Sequence, residues 1–217
     1  MGDKLLNPNN KHEIPDNLIL IPNFFDKKYF NRIKKKAIRN FSLFFSTVLI
    51  FESYSIITDF IGYTQLLTIL EFIKDIREKN IYFLGTAGSI NPEFKSPEAF
   101  MVNEINPSAI FDSFADKKSY KLISTGDHGF TGVKGVSVDI LQRETSEWLK
   151  DQIVNKNDIV EMEIYPLRDF IGKEFFAFVV ITDLITKNGI DLLKNKKKIN
   201  SELIRSFEHI LELISEK

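Results

Sequence analysis

At 217 residues the chain is long enough for one domain with a continuous core, and 29 basic against 30 acidic residues give a formal charge of −1, a balance that gives no sign of a nucleic-acid backbone as partner. Cysteine is absent and the three histidines, His12, His128 and His209, are far apart, so disulfides, thiolate chemistry and cysteine-held zinc are excluded and neither a metal nor a cofactor is expected. Hydrophobic residues at 43% and charged ones at 27% are those of an ordinary globular chain, and no apolar run reaches the roughly 20 residues that span a bilayer.

Residues 1–16 are polar, contain Pro8 and Pro15, and lack the apolar centre of a secretory signal. They read as a flexible leader on a cytoplasmic protein whose domain covers residues 17–217. The short apolar run Asn17 to Pro22 reads as a buried strand because of its length and its isoleucines. A basic helix is expected from Asp26 to about Asn40; its Lys34–Lys36 run is a solvated face rather than a nucleic-acid patch, given the neutral balance of charge. Ser42 to Ser53 reads as one or two strands. From Tyr63 to Lys79, Leu66, Leu67, Ile69, Leu70, Ile73 and Ile76 recur at helical spacing, with Gly62 at the helix start.

Ile81 to Leu84 is a strand entering the glycine-rich turn Gly85-Thr-Ala-Gly-Ser89, and Pro92 and Pro97 punctuate the loop beyond. Lys121 to Ser124 is a strand leading into a second glycine-rich loop, Thr125 to Gly132. Val138 to Lys150 is expected to be helical, with a capping-like Thr145-x-Glu147 inside it. Asp158 to Glu163 leads into a helix from about Tyr165 to Gly172, and Ala177 to Thr182 is an apolar strand with Asp183 at its C-terminal tip. Ser201 to Lys217 closes the chain as an amphipathic helix. Strands apolar on both faces and alternating with helices predict an α/β protein, a single-domain three-layer αβα with a mixed, mostly parallel central sheet.

Ligands of such sheets bind at the carboxyl ends of the strands. That places three segments at a site: Gly85–Ser89, Thr125–Gly132, and Glu161–Glu163 with Asp183. Gly85–Ser89 brings backbone N–H groups and hydroxyls such as that of Thr86 close to an anion or a water, although glycine turns after strands are common. Glu161 and Glu163 point the same way if extended, with Met162 between them. A carboxylate there can accept two hydrogen bonds from vicinal hydroxyls and a thioether can pack on a ring, yet solvated acids on an edge strand fit the same pattern. Asp183, after six apolar residues, can be pushed toward its protonated form by burial and act as a general acid, or can simply cap a turn.

In their order and spacing the stretches GTAGS (85–89), STGDHGF (124–130), IVEMEI (159–164) and FVVITD (178–183) resemble the nucleoside phosphorylase/nucleosidase superfamily, and within it the methylthioadenosine/S-adenosylhomocysteine nucleosidases. The likeness covers roughly residues 43–217. It implies cleavage of the N-ribosidic bond of a purine nucleoside or a 5′-modified analogue, without cofactor or metal, by a homodimer. By that resemblance Asp183 protonates the leaving base with Thr182 beside it, Glu163 holds the ribose hydroxyls, Met162 packs on the sugar, Glu161 and Thr86 line the pocket, and Phe130 stacks near the base.

Phe83 stands where the phosphorylases of the superfamily carry a phosphate-binding arginine, which favours water over phosphate as acceptor. After the first strand, where the nucleosidases place a water-activating glutamate, the chain offers Asp26. Residues 89–120 are shorter than the family's usual insert, and Pro166 falls in the helix after the M-E pair. Two functions follow: a nucleosidase, or a non-catalytic nucleoside-binding or structural relative. A carboxylate from residues 22–28 reaching the Glu163 pocket tells them apart.

Overall fold

The computed structural model describes residues 11–23, 26–108, 118–124, 129–139 and 145–216. In chain order these form β1 (Asn17–Ile21), α1 (Lys27–Lys34), β2 (Arg39–Leu43), β3 (Ser46–Ile50), β4 (Tyr54–Thr58), α2 (Gly62–Glu71), a turn of 3₁₀ helix (Ile76–Glu78), β5 (Asn80–Ser89) and β6 (Ala99–Pro107). There follow β7 (Tyr120–Lys121), β8 (Thr131–Ser137), α3 (Ser146–Val154), β9 (Ile159–Glu161), α4 (Ile164–Ile171), β10 (Phe176–Thr186), β11 (Gly189–Leu192) and α5 (Lys196–Ser215).

The apolar runs are strands covered on both faces. In β1, Leu18 and Leu20 enter one core with Leu66, Ile69 and Leu70 of α2 and with Ile164, Leu167 and Ile171 of α4. Ile19 and Ile21 alternate into the other, with Ile33 of α1 and with Leu203, Phe207 and Ile210 of α5. Likewise Ala177, Val179 and Ile181 of β10 face the first core while Phe176, Phe178 and Val180 face the second. Helices on both sides of one sheet make the expected three layers.

The sheet runs β11-β10-β6-β8-β9-β5-β1-β4-β3-β2, and β10 also pairs with β5, so β5, β10, β6, β8 and β9 close into a ring. It is mixed, as expected. Parallel pairing joins β4 to β1, β1 to β5, β5 to β10, β6 to β8 and β8 to β9; the other pairs are antiparallel, more of them than the apolar runs suggested.

Several expected boundaries move, each for a packing reason. The stretch 85–89 is not a turn but the second half of β5, paired with β10 and β9. Its glycines clear space for neighbours: a Cβ on Gly85 would lie 2.6 Å from the Phe83 ring, and one on Gly88 2.6 Å from Asp183 Oδ2. The last two residues of the expected glycine-rich loop, Thr131 and Gly132, and the stretch before the expected helix instead form β8, whose Gly135 has Ile105 Cδ1 at 2.8 Å from where a Cβ would stand. The helix of that region is α3, with Thr145 as its N-cap accepting from Trp148 N rather than lying inside it. α1 stops at Lys34 and α2 at Glu71, earlier than their patterns suggested. Asp183 lies within β10, which runs three residues past it and turns back as β11.

Of the N-terminal segment, residues 11–16 lie along the α2–β5 connection: His12 N donates to Phe72 O at 2.7 Å, Lys74 N donates to His12 O at 3.0 Å, and Asn80 N donates to Asp16 O at 2.7 Å. Residues 1–10 and the loop residues 125–128 are outside the described ones. Among the described residues no helix is long and apolar enough to cross a membrane.

Candidate active site

A cleft of about 300 Å³ opens at the carboxyl ends of β5, β9 and β10, lined by Pro22, Thr86, Ala87, Gly88, Val160, Glu161, Met162, Glu163, Thr182, Asp183, Ile190 and Leu192. Six of the eight residues singled out in the sequence therefore meet: Thr86, Glu161, Met162, Glu163, Thr182 and Asp183.

The carboxylates are set by the start of α4. Glu161 is buried, and its carboxylate accepts from Glu163 N at 2.6 Å, from Ile164 N at 2.7 Å and from the Ser137 hydroxyl. Ser137 Oγ accepts in turn from Tyr165 N at 2.9 Å. The first N–H groups of a helix have no partner within it, and this carboxylate and hydroxyl supply the missing acceptors. Pro166 is the third residue of α4, where a missing N–H costs no helical bond. Glu163 is thereby turned into the cleft, where the backbone N–H of Gly62 at the start of α2 favours its charged form.

Burial opposes ionisation of both glutamates. Around Glu161 the donors offset it only in part, and Glu163 also feels the Glu161 charge, so both carboxyls are held above their ordinary range, Glu163 the further of the two. A carboxyl raised in this way adds stability that is complete below its unfolded value of 4.5 and is lost as the pH climbs through the shifted value. Glu163→Gln is accordingly expected to flatten the fall in melting temperature between pH 5 and pH 9; curves that stay parallel to the wild type would contradict the assignment.

Asp183 is positioned by an irregularity. The β5–β10 register slips between Ile181 and Asp183, leaving Thr182 as the extra residue of a bulge, a device that re-aims side chains at sites. Both Thr182 and Asp183 consequently line the cleft. Thr182 Oγ1 donates to Asp183 Oδ1 at 2.7 Å, while Oδ2 lies over Gly88. Burial raises the Asp183 carboxyl above its ordinary range, partly countered by the Thr182 hydroxyl. Such a group can deliver a proton to a base at the cleft mouth. Because Gly88 leaves the space that Oδ2 occupies, Gly88→Ala is expected to push the carboxylate aside, costing about 1–3 kcal/mol in stability by denaturant titration and weakening ligand binding.

Two singled-out residues lie elsewhere. Asp26 is the N-cap of α1, its Oδ1 accepting from Tyr29 N at 2.8 Å, and it lines a separate cavity of about 20 Å³ with Asn23, Tyr29, Asn200 and Leu203. Between the two spaces a third, narrow one is lined by Pro22, Asn23, Leu84, Gly85, Thr86 and Leu203. No carboxylate of the described residues 22, 23 and 26–28 is brought to Glu163. Phe130 packs in the core on the other side of the sheet, its ring 5.2 Å from those of Phe178 and His209 and 4.5 Å from the Arg205 guanidinium.

Sequence reasoning missed Ser137, the Gly62 N–H, Ile190 and Leu192. A helix start at Gly62 without a polar cap residue was the one available sign that α2 takes its acceptor from elsewhere. Among the described residues no three metal-ligating side chains gather.

No family model and no curated protein matches the chain in sequence. Solved structures do match in shape. A methylthioadenosine/S-adenosylhomocysteine nucleosidase of Campylobacter jejuni superposes with a TM-score of 0.72 at 11% identity, over 94% of this chain and 100% of that one. The futalosine hydrolase of Helicobacter pylori gives 0.70 at 12% identity, over 97% and 100%. A purine nucleoside phosphorylase of Toxoplasma gondii, in complex with immucillin-H, gives 0.67 at 13% identity, over 98% and 95%. The chain thus has the nucleoside phosphorylase/nucleosidase fold.

Proposed function

We propose that the cleft binds a purine nucleoside, or one modified at its 5′ position, and hydrolyses the N-ribosidic bond. The observation that carries this reading is the meeting of Asp183, from the bulge of β10, and Glu163, from the start of α4, across one cleft on this fold. Asp183 gives its proton to a ring nitrogen of the base as the C1′–N bond breaks and the bonding electrons leave with the base. The ribosyl cation left behind is captured by water, whose proton goes to solvent, so free base and ribose or its 5′ derivative are released. Glu163 accepts hydrogen bonds from the ribose hydroxyls, Met162 packs on the sugar, Thr182 orients the Asp183 carboxyl, and Thr86 and Glu161 line and brace the pocket. Separation of charge is the barrier in such a reaction, and fixed groups at each end lower it.

The placement of Asp26 favours a second reading, a non-catalytic nucleoside-binding relative, because the carboxylate expected to activate water stands in another cavity. Release of free base from adenosine, inosine, methylthioadenosine and S-adenosylhomocysteine, with and without phosphate, separates the two. Phosphate-independent release supports the hydrolase; binding without release supports the second reading.

A further inference from the structure

The hairpin of β10 and β11 carries an apolar surface that the described residues leave open. In its antiparallel ladder Asp183 pairs with Leu192 and Ile185 with Ile190, and directly paired residues share a face of the sheet. Ile190 and Leu192 therefore stand beside Asp183, while Asp191, paired with Leu184, belongs to the opposite face. Both line the cleft, yet Ile190 is 41% and Leu192 74% exposed. Alternation of an apolar face with a polar one is the pattern of a strand whose apolar side is to be covered.

The position of the wall says what covers it. Glu161, Met162 and Glu163 line the cleft from β9 and the start of α4, whereas Ile190 and Leu192 line it from the Asp183 side. In the reading above, which this inference rests on and deepens, the sugar lies toward Glu163 and the base toward Asp183. A purine presents a flat, weakly hydrated face. Phe130, the aromatic ring expected to stack on it, is packed against Phe178 and His209 in the opposite core. Among the described residues, the face of the base is left for another side chain to cover.

We propose that Ile190 and Leu192 form the wall against which the purine ring packs, so that an aliphatic hairpin does the work of an aromatic stacking residue. The base closes over apolar surface that otherwise faces water and in doing so shields the neighbouring Asp183 carboxyl.

The test is calorimetric titration of the full chain and of the double variant Ile190→Thr/Leu192→Thr with adenine, hypoxanthine, adenosine and inosine. Both side chains are exposed and threonine suits a strand, so the variant is expected to melt with the wild type. The expected result is a tenfold or greater weakening for free base and nucleoside alike. Affinities within twofold of the wild type for both would overturn the proposal. Weakening for the nucleosides alone would also overturn it, placing the wall at the sugar's 5′ side. Absence of binding of any base or nucleoside by the wild type would instead overturn the nucleoside reading and take this inference with it.

Discussion

Asp183→Asn is expected to reduce base release by about 10²–10⁴-fold, the usual worth of a positioned general acid, with nucleoside affinity nearly unchanged. The amide has the carboxyl's shape and can still accept from Thr182 Oγ1, which lies 2.7 Å from Asp183 Oδ1, so the strand end and its bulge have no reason to rearrange. What it lacks is a proton to transfer. The pH dependence provides an independent check. Since burial holds the Asp183 carboxyl above its ordinary range, its protonated fraction, and with it kcat/KM, falls as the pH rises through that raised value. In the variant that descending limb should vanish along with the rate. A variant that keeps wild-type turnover would remove Asp183 from the chemistry and leave it a binding residue.

Glu161→Ala is expected to be among the most destabilising changes in the site. Its carboxylate accepts from Glu163 N, Ile164 N and the Ser137 hydroxyl, and all of these are shut away from water or nearly so. Removing the acceptor strands at least two donors, at a cost of about 2–4 kcal/mol, measured as a shift in the urea midpoint. Glu161→Gln keeps an oxygen for the backbone groups and is expected to lose less. Because the same contacts turn Glu163 toward the cleft, nucleoside affinity should fall with stability in the alanine variant. A midpoint within about 0.5 kcal/mol of the wild type, the ordinary spread of surface substitutions, would show that α4 does not depend on this acceptor.

Much of the site was legible because its residues sit at the ends of strands that announce themselves. The runs 17–22, 81–84 and 177–182 are apolar on both faces, and the residues just past such runs are where ligands of an α/β sheet bind. Glu161 to Glu163 and Asp183 were found by that rule, and Thr182 by the family resemblance. Less legible were the strands of the ring. β8 reads TGVKGVS and has no apolar run, since in a small closed ring the neighbouring strands' side chains fill the space above its glycines. For the same reason the glycines of residues 85–89 looked like a turn when they are clearances inside β5. The hairpin was hidden because residues 189–192 alternate apolar and polar over too short a span to stand out beside the long β10. Asp26 and Phe130 were carried to the site by the family resemblance. Each is a few residues from a strand end, and whether such a residue points to the cleft or away depends on the next helix or sheet face, here the N-cap of α1 and the core beneath α5.

Closure of β5, β10, β6, β8 and β9 into a ring divides the cleft into a fixed half and a yielding half. Asp183, Thr86 and Glu161 stand on strands of that ring, and Asp183 cannot shift relative to Glu161 without breaking a ladder that closes on itself. Ligand binding therefore does not have to meet the entropic cost of ordering the acid or the brace of the ribose anchor; that cost is met when the chain folds. Among the described residues β11 pairs with β10 alone, so its place is not fixed by the closure of the ring. In the proposed reading, nucleosides that differ in the bulk of the part lying on the hairpin are accommodated there, while those lacking the hydroxyls assigned to Glu163 find nothing on the ring side that adjusts to them.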